Sequence, residues 1–444
     1  MSSTVAGRDE VGSRPSAPPE PRLITDEESL EQVVEELIEQ PEYAVDTEFH
    51  RERTYFARLM LVQVAWRDGI ALIDPLAVDP GPLRKVFEGP GVAVLHAADQ
   101  DLEVLERSCG TAPTHLYDTQ LCAGFMGFST PSLVHLVDKV LDRKLHKGDQ
   151  LADWTRRPLP ASQLAYAAAD VAHLLDLRAA LDQRLGELGR LDWAREECER
   201  VLARDRNPAP LDEAWWKIRH ARQLRGKSRA VAQIVAAWRE RKARERDIPA
   251  RFVLPDLPLM AIAQRPPRSK QELQSIRGID SRQVAGPLGD ELMAAVDEGW
   301  SLPEDQVIMP AVEVLDHVVR PAVSIAAAWV TQRAGELGID PAILGSRGDV
   351  VSFLQRRAGA RLDEGWRNEL LGEPLRRLTD GRASIAFDGR DNLLLEERSG
   401  VPLALSGAAV DGHIGPRTSA DSGATVPSDA GQAADDDGDD DGDE

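Results

Sequence analysis

The stretch YAVDTEF, Tyr43 to Phe49, reads as a β-strand that carries two carboxylates on one face. Side chains along a strand alternate between its faces, so Asp46 and Glu48 stand side by side. Like charges that close repel, and a face that tolerates them is either solvated or holds something positive. Two more β-like runs follow, RLMLVQVAW and GIALIDP, and Arg67-Asp68-Gly69 between them reads as a hairpin turn. Upstream, TDEESLEQVVEELIEQ has helical periodicity, with Thr25 as its cap and Glu28 completing a capping box. Downstream, the apolar run GVAVLH leads into another helix. Antiparallel strands first and strand-helix alternation afterwards indicate a mixed sheet with helices on its faces.

At 444 residues the chain exceeds what one hydrophobic core usually supports, so two or three domains are expected. The net charge of −22 would argue against a nucleic-acid partner, but part of it sits in the terminal run ADDDGDDDGDE. That run is too charged to fold, and the Gly-, Ala- and Ser-rich segment before it has no period. The N-terminal MSSTVAGRDEVGSRPSAPPEPR has no apolar targeting core, and no apolar run is long enough to span a bilayer. These features predict a cytoplasmic protein with no membrane partner, and a monomer is favoured. Cys109, Cys122 and Cys198 are scattered without C-x-x-C spacing, which indicates neither a disulfide framework nor a zinc site.

More carboxylates fall where a ligand would meet them. In GVAVLHAADQDLEVLER, Asp99 and Asp101 lie at a strand-to-helix junction, where mixed sheets commonly bind ligands. In QLAYAAADVAHLLDL, Tyr166 and Asp170 are four residues apart and share one helical face. Each has an ordinary reading when taken singly: a capping aspartate, a core aromatic, a solvated pair on an exposed strand. Together they form an ordered set, D-x-E on a strand, then H-A-x-x-x-D-L, then Y-x-x-x-D.

That order resembles the DEDDy branch of the DnaQ-like 3′ to 5′ exonucleases. DTEFHRERTYFARLMLVQVA, HAADQDLEVL, YDTQLCAGFMG and DWTRRPLPASQLAYAAADVAHLLDL look like the ribonuclease D family within it, and the likeness runs from about residue 22 to about 390. Ala57 departs from the pattern, standing where the family often has proline after TYF. The resemblance implies a ribonuclease H-like α/β fold, a five-stranded mixed sheet flanked by helices. It also implies that Asp46, Glu48, Asp101 and Asp170 ligate two divalent cations, Mg²⁺ or Mn²⁺, which suits clustered carboxylates as hard oxygen ligands. Asp101, directly before the leucine, fits the motif better than Asp99. Tyr166 would hold the attacking water, and Thr47 and Phe49 are candidates for touching the terminal nucleotide, Phe49 by stacking. The expected activity is metal-dependent removal of nucleoside 5′-monophosphates from single-stranded RNA 3′ ends, in processing of tRNA-like precursors or in decay. A single-strand DNA 3′ to 5′ exonuclease and an inactive RNA-binding module are the alternatives.

The second half is helical. From Leu211 to Phe252, LDEAWWKIRHARQLRGKSRAVAQIVAAWRERKARERDIPARF has an excess of Lys and Arg in an acidic chain. Arg219, Arg222, Arg225, Lys227 and Arg229 are candidates for phosphate contacts, while Trp215, Trp216 and Trp238 read as core. The continuation resembles the helicase-and-ribonuclease-D C-terminal (HRDC) domain, with a helix and a tight turn at Gly278 supplied by SKQELQSIRGI. Segments near 335–378 resemble a second HRDC-like domain. The expected organisation is a disordered leader at 1–22, an exonuclease domain at 23–204, two all-α bundles at 211–300 and 308–392, and a disordered acidic tail at 397–444.

Overall fold

The computed structural model describes residues 19–145, 152–309 and 319–399; most of the leader and nearly all of the acidic tail lie outside these ranges. Strand β1 (Pro21–Ile24) leads into helix α1 (Glu27–Ile38), which is followed by β2 (Glu42–His50), β3 (Arg58–Trp66) and β4 (Gly69–Ile73). β3 and β4 turn back through Arg67 and Asp68, as their spacing predicts, with Trp66 opposite Gly69. A side chain at Gly69 would force the Trp66 ring to shift, since a Cβ there would fall 2.4 Å from it. β3 is buried at every position after Arg58, which accounts for its nearly continuous run of apolar residues.

The sheet has six strands, ordered β1-β4-β3-β2-β5-β6, after α2 (Arg84–Phe87), β5 (Val92–Leu95), α3 (Asp99–Cys109) and β6 (Leu116–Asp118) are added. The expectation of five strands is corrected by β1, which runs parallel to β4 from Pro21 to Ile24. Pro21 and Arg22 are therefore strand residues, not leader. Proline lacks an N–H but is tolerated on an edge strand, and Arg22 is held by Glu36 at 2.9 Å and by the Trp66 ring at 5.2 Å. The cap of α1 also differs from expectation. Asp26, not Thr25, accepts from the Ser29 amide and hydroxyl, so Glu28 closes no capping box.

Helices α4 (Thr119–Gly124), α5 (Leu133–Leu141), α6 (Ala161–Ala172), α7 (Leu174–Glu187) and α8 (Leu191–Leu202) complete the exonuclease domain. The helix expected through QLAYAAADVAHLLDL breaks at His173, whose φ of −117° and ψ of 1° leave the helical region. Tyr166 and Asp170 both remain on α6.

The first helical bundle comprises α9 (Gly226–Arg246), α10 (Ala250–Val253), α11 (Asp256–Gln264), α12 (Lys270–Ser275), α13 (Ser281–Ala285) and α14 (Pro287–Ser301). It has a core of its own, built on Trp215, Trp238, Leu259 and Leu292. Gly278 turns the chain with φ of 87°, and a Cβ there would press on Pro258 at 3.1 Å.

The last segment holds α15 (Val319–Leu337), α16 (Pro341–Leu344), α17 (Arg347–Leu354), α18 (Gly365–Arg367) and α19 (Glu373–Thr379). It is not wholly α: β7 (Ala383–Phe387) and β8 (Leu393–Glu397) close it as an antiparallel hairpin. Asp388 shapes the turn by accepting from the amides of Arg390 and Asn392. This segment shares one continuous core with the exonuclease domain. Trp366 stacks on Trp193 of α8 at 5.0 Å and meets Phe125 edge-on at 5.4 Å. Nearby, buried Glu197 pairs with Arg367 and, at 2.8 Å, with Arg361. No helix among the described residues is long and apolar enough to cross a membrane.

Candidate active site

A cavity of about 1400 Å³ opens over β2, the N-terminal turn of α3, the start of α5 and one face of α6. Asp46, Glu48, Phe49, Asp101, Tyr166 and Asp170 all line it, so strand alternation and helical spacing bring these side chains together. The β2-β3 register shifts between Glu48 and Phe49, a bulge of the kind that re-aims side chains beside active sites.

Carboxylate oxygens of Asp46, Glu48 and Asp170 lie within 4.8 Å of one another. Asp101 stands just outside this trio. It is buried on the first turn of α3 and accepts a hydrogen bond from the Thr47 hydroxyl at 2.5 Å. Thr47 is itself buried, and although it also lines the cavity its hydroxyl proton is committed to Asp101. Sequence periodicity gives no sign of this pairing, because the two residues are 54 positions apart. Asp99 is separate: it meets Arg204 at 3.1 Å on the exposed rim.

Burial and mutual repulsion dominate the electrostatics. Asp46 is held well above the usual carboxylate range, first by desolvation and then by the charges of Asp101, Asp170 and Glu48. Glu48 is pushed up to about 8 by desolvation, with Asp170 and Asp101 adding to it. Desolvation raises Asp170 to about 7, against a hydrogen bond from Tyr166. It raises Asp101 to about 6, against the Thr47 hydroxyl. The Tyr166 phenol is driven upward by desolvation and by the charges of Asp170, Glu48 and Asp46, so it stays protonated at neutral pH. A neutral phenol orients water and does not deprotonate it.

These carboxylates crowd one cavity, where burial and mutual repulsion oppose ionising them all together. Their all-oxygen donor set and raised proton affinity fit hard divalent cations, whose charge would offset the repulsion. Lys144 is the lysine or arginine that lines the cavity among the described residues, with His96 and His135 alongside. His96 opens the H-A-x-x-x-D-L run, whereas no motif in the sequence marks Lys144 or His135.

The basic residues expected to bind phosphates are not in this cavity. Arg222 donates to the Trp216 carbonyl at 3.2 Å, Lys227 to Leu302 at 3.0 Å and Arg229 to Leu224 at 2.9 Å. Their charges are partly spent on the bundle's own backbone, while Arg219 and Arg225 are exposed. Trp215 and Trp238 are core residues, as read from the sequence, whereas Trp216 is only half-buried and donates to the Ile308 carbonyl at 3.2 Å. All three cysteines are buried free thiols.

A carboxylate cluster on a mixed sheet, with a tyrosine one helical turn from the last carboxylate, is the arrangement expected of a 3′ to 5′ exonuclease. The 3′-5′ exonuclease family model matches residues 21–186 and the HRDC domain model residues 228–296. The chain is 34% identical over 379 residues to ribonuclease D of Gluconacetobacter diazotrophicus, covering 84% of this chain and 96% of that one. It is 34% identical over 368 residues to ribonuclease D of Escherichia coli, covering 80% and 98%. The crystal structure of Escherichia coli RNase D, an exoribonuclease involved in structured RNA processing, matches with a TM-score of 0.74 at 33% identity. That match spans 82% of this chain and 99% of the other. The chain belongs to the ribonuclease D family and is a 3′ to 5′ exoribonuclease.

Proposed function

We propose that the chain shortens single-stranded RNA 3′ ends and releases nucleoside 5′-monophosphates, with two divalent cations, Mg²⁺ or Mn²⁺, held by Asp46, Glu48, Asp101 and Asp170. The observation that carries this reading is the meeting of three carboxylates within 4.8 Å in a cavity that Tyr166 also lines. When bound, such cations lower the pKa of water and neutralise charge on the attacking and leaving oxygens of a phosphodiester. The remaining work falls to the chain. Thr47 holds Asp101 in its ionised form by hydrogen bonding, and the α6 backbone presents Asp170 and Tyr166 to the same cavity. The protonated Tyr166 hydroxyl orients the attacking water by hydrogen bonding. Phe49 offers a ring to the terminal base, and Lys144, which also lines the cavity, offers a cation to a phosphate.

The role of the Escherichia coli relative in structured RNA processing supports RNA 3′-end processing, of tRNA-like precursors or in decay, as the setting for this chain. In this reading the exonuclease domain at 23–204 carries the chemistry, and the HRDC bundle at 211–300 and the segment at 308–392 hold RNA outside it. Arg219 and Arg225, both exposed, are the best placed of the basic residues to meet a phosphate backbone.

The test separates ligand from water-holder. Tyr166→Phe leaves every carboxylate in place, so turnover should fall by a factor on the order of 10² or more while RNA binding and metal dependence persist. Asp170→Asn should instead raise the metal concentration needed for activity as well as lowering turnover. Full turnover in Tyr166→Phe would remove the phenol from the mechanism.

A further inference from the structure

The segment Arg51–Ala57 joins β2, which bears Asp46 and Glu48, to β3, and it spans two domains. On its exonuclease side Arg51 pairs with Glu103 of α3 at 2.8 Å, and Arg107 of α3 lies 3.4 Å over the Phe56 ring. α3 is the helix that carries Asp101, so this segment meets two of the three carboxylate-bearing elements. On its other side it is gripped by α9 of the HRDC bundle. The Asp247 carboxylate accepts from the backbone amides of Tyr55 and Phe56, each at 3.1 Å. The Tyr55 hydroxyl donates to Glu240 at 2.5 Å and accepts from Arg244 at 3.0 Å. The Tyr55 ring packs against the bundle's separate core.

The backbone at Asp247 gives independent support. It ends α9 in the left-handed region, with φ of 47°, a position that favours glycine. An aspartate tolerates this conformation at some cost, and here its side chain is what satisfies two amides of another domain. A glycine would end the helix more easily but would leave both amides without this acceptor.

We infer that the HRDC bundle acts on catalysis directly, by clamping the 51–57 segment and so holding the Phe49 and Asp101 sides of the cavity around the RNA 3′ end. Asp247 and Tyr55 are positioning residues, and the clamp is a hydrogen-bond device, not a charge effect. The inference rests on the cavity being the site that holds that 3′ end. It differs from RNA binding by the bundle in one measurable way: an RNA too short to leave the cavity still depends on the clamp.

The experiment measures kcat and KM of the full-length chain on a short single-stranded RNA oligonucleotide and on a long structured RNA. The variants are Asp247→Ala, Asp247→Asn and Tyr55→Phe. Asp247→Ala should lower kcat on the short RNA roughly tenfold or more, the scale of a misplaced reacting group, with KM changed less. Tyr55→Phe keeps the ring and deletes the hydroxyl, so it should lower kcat in the same sense without unfolding the bundle. Asp247→Asn keeps an acceptor oxygen for the two amides and should restore near-normal kcat. Unchanged kcat on the short RNA in both Asp247→Ala and Tyr55→Phe would overturn the clamp, as would Asp247→Asn being as impaired as Asp247→Ala. A wild-type chain that fails to shorten even the oligonucleotide would overturn the functional reading on which the clamp rests.

Discussion

Asp46→Asn should stabilise the metal-free protein while abolishing its activity. Asp46 lies beside Glu48 and Asp170, and its proton affinity is raised first by desolvation and then by the charges of Asp101, Asp170 and Glu48. Groups whose pKa is raised on folding favour the fold while protonated, and that contribution is lost as pH rises through the folded value. For Glu48 the window runs from about 4.5 to about 8, and for Asp170 from 3.8 to about 7. A pKa unit corresponds to about 1.4 kcal/mol, and water entering the half-open cavity screens much of the apparent shift. We therefore expect removal of one charge to gain on the order of 1–3 kcal/mol at pH 8 in chelator, a few degrees of melting temperature. The assay is thermal denaturation of wild type and Asp46→Asn in chelator at pH 5 and pH 8, then with excess Mg²⁺. At pH 5 the gap should shrink, since most of the wild-type cluster is protonated. With Mg²⁺ the wild type should gain more than the variant, because the variant has lost a ligand charge. An Asp46→Asn protein that melts lower than wild type in chelator at pH 8, or a gap that does not change with pH, would refute the reasoning.

Two further outcomes follow from single contacts. Thr47→Val removes the hydrogen bond that favours ionised Asp101, so the acid limb of the kcat/KM profile should move to higher pH; an unmoved limb would separate Thr47 from catalysis. Glu197→Ala leaves buried Arg367 without its carboxylate and Arg361 with Asp349 alone, and should cost about 3–5 kcal/mol by denaturant melt. Glu197 has a lowered pKa despite its burial, which Arg367 and Arg361 cause, so its contribution is present above the ordinary carboxylate range and lost on acidification.

What the sequence made legible is local. The alternation in YAVDTEF and the two-residue turn at Arg67-Asp68 are short-range patterns, and both appear as read. So does the pairing of Tyr166 with Asp170, which needs only the pitch of one helix. Edge elements carried too little pattern: β1 has four residues and β6 three, fewer than alternation needs. Long-range partners left no trace either. Thr47 reads from the sequence as a candidate nucleotide contact, and its bond to Asp101 exists only once α3 is folded against the strand; composition cannot tell that Arg222, Lys227 and Arg229 turn back onto carbonyls. The β7-β8 hairpin was missed because LLLEE and ASIAF sit in a Gly- and Asp-rich stretch that reads as the end of a helical domain.

The central claim is a cation-dependent exonuclease that works from the RNA 3′ end. It is tested most directly by degrading a 5′-labelled single-stranded RNA with a free 3′ hydroxyl, and the same RNA with a 3′ phosphate, with and without chelator. The account predicts a ladder shortening from the 3′ end of the free RNA, nucleoside 5′-monophosphates as product, no reaction in chelator and strong inhibition by the 3′ phosphate. Internal cuts, or cleavage that survives the chelator, would contradict it.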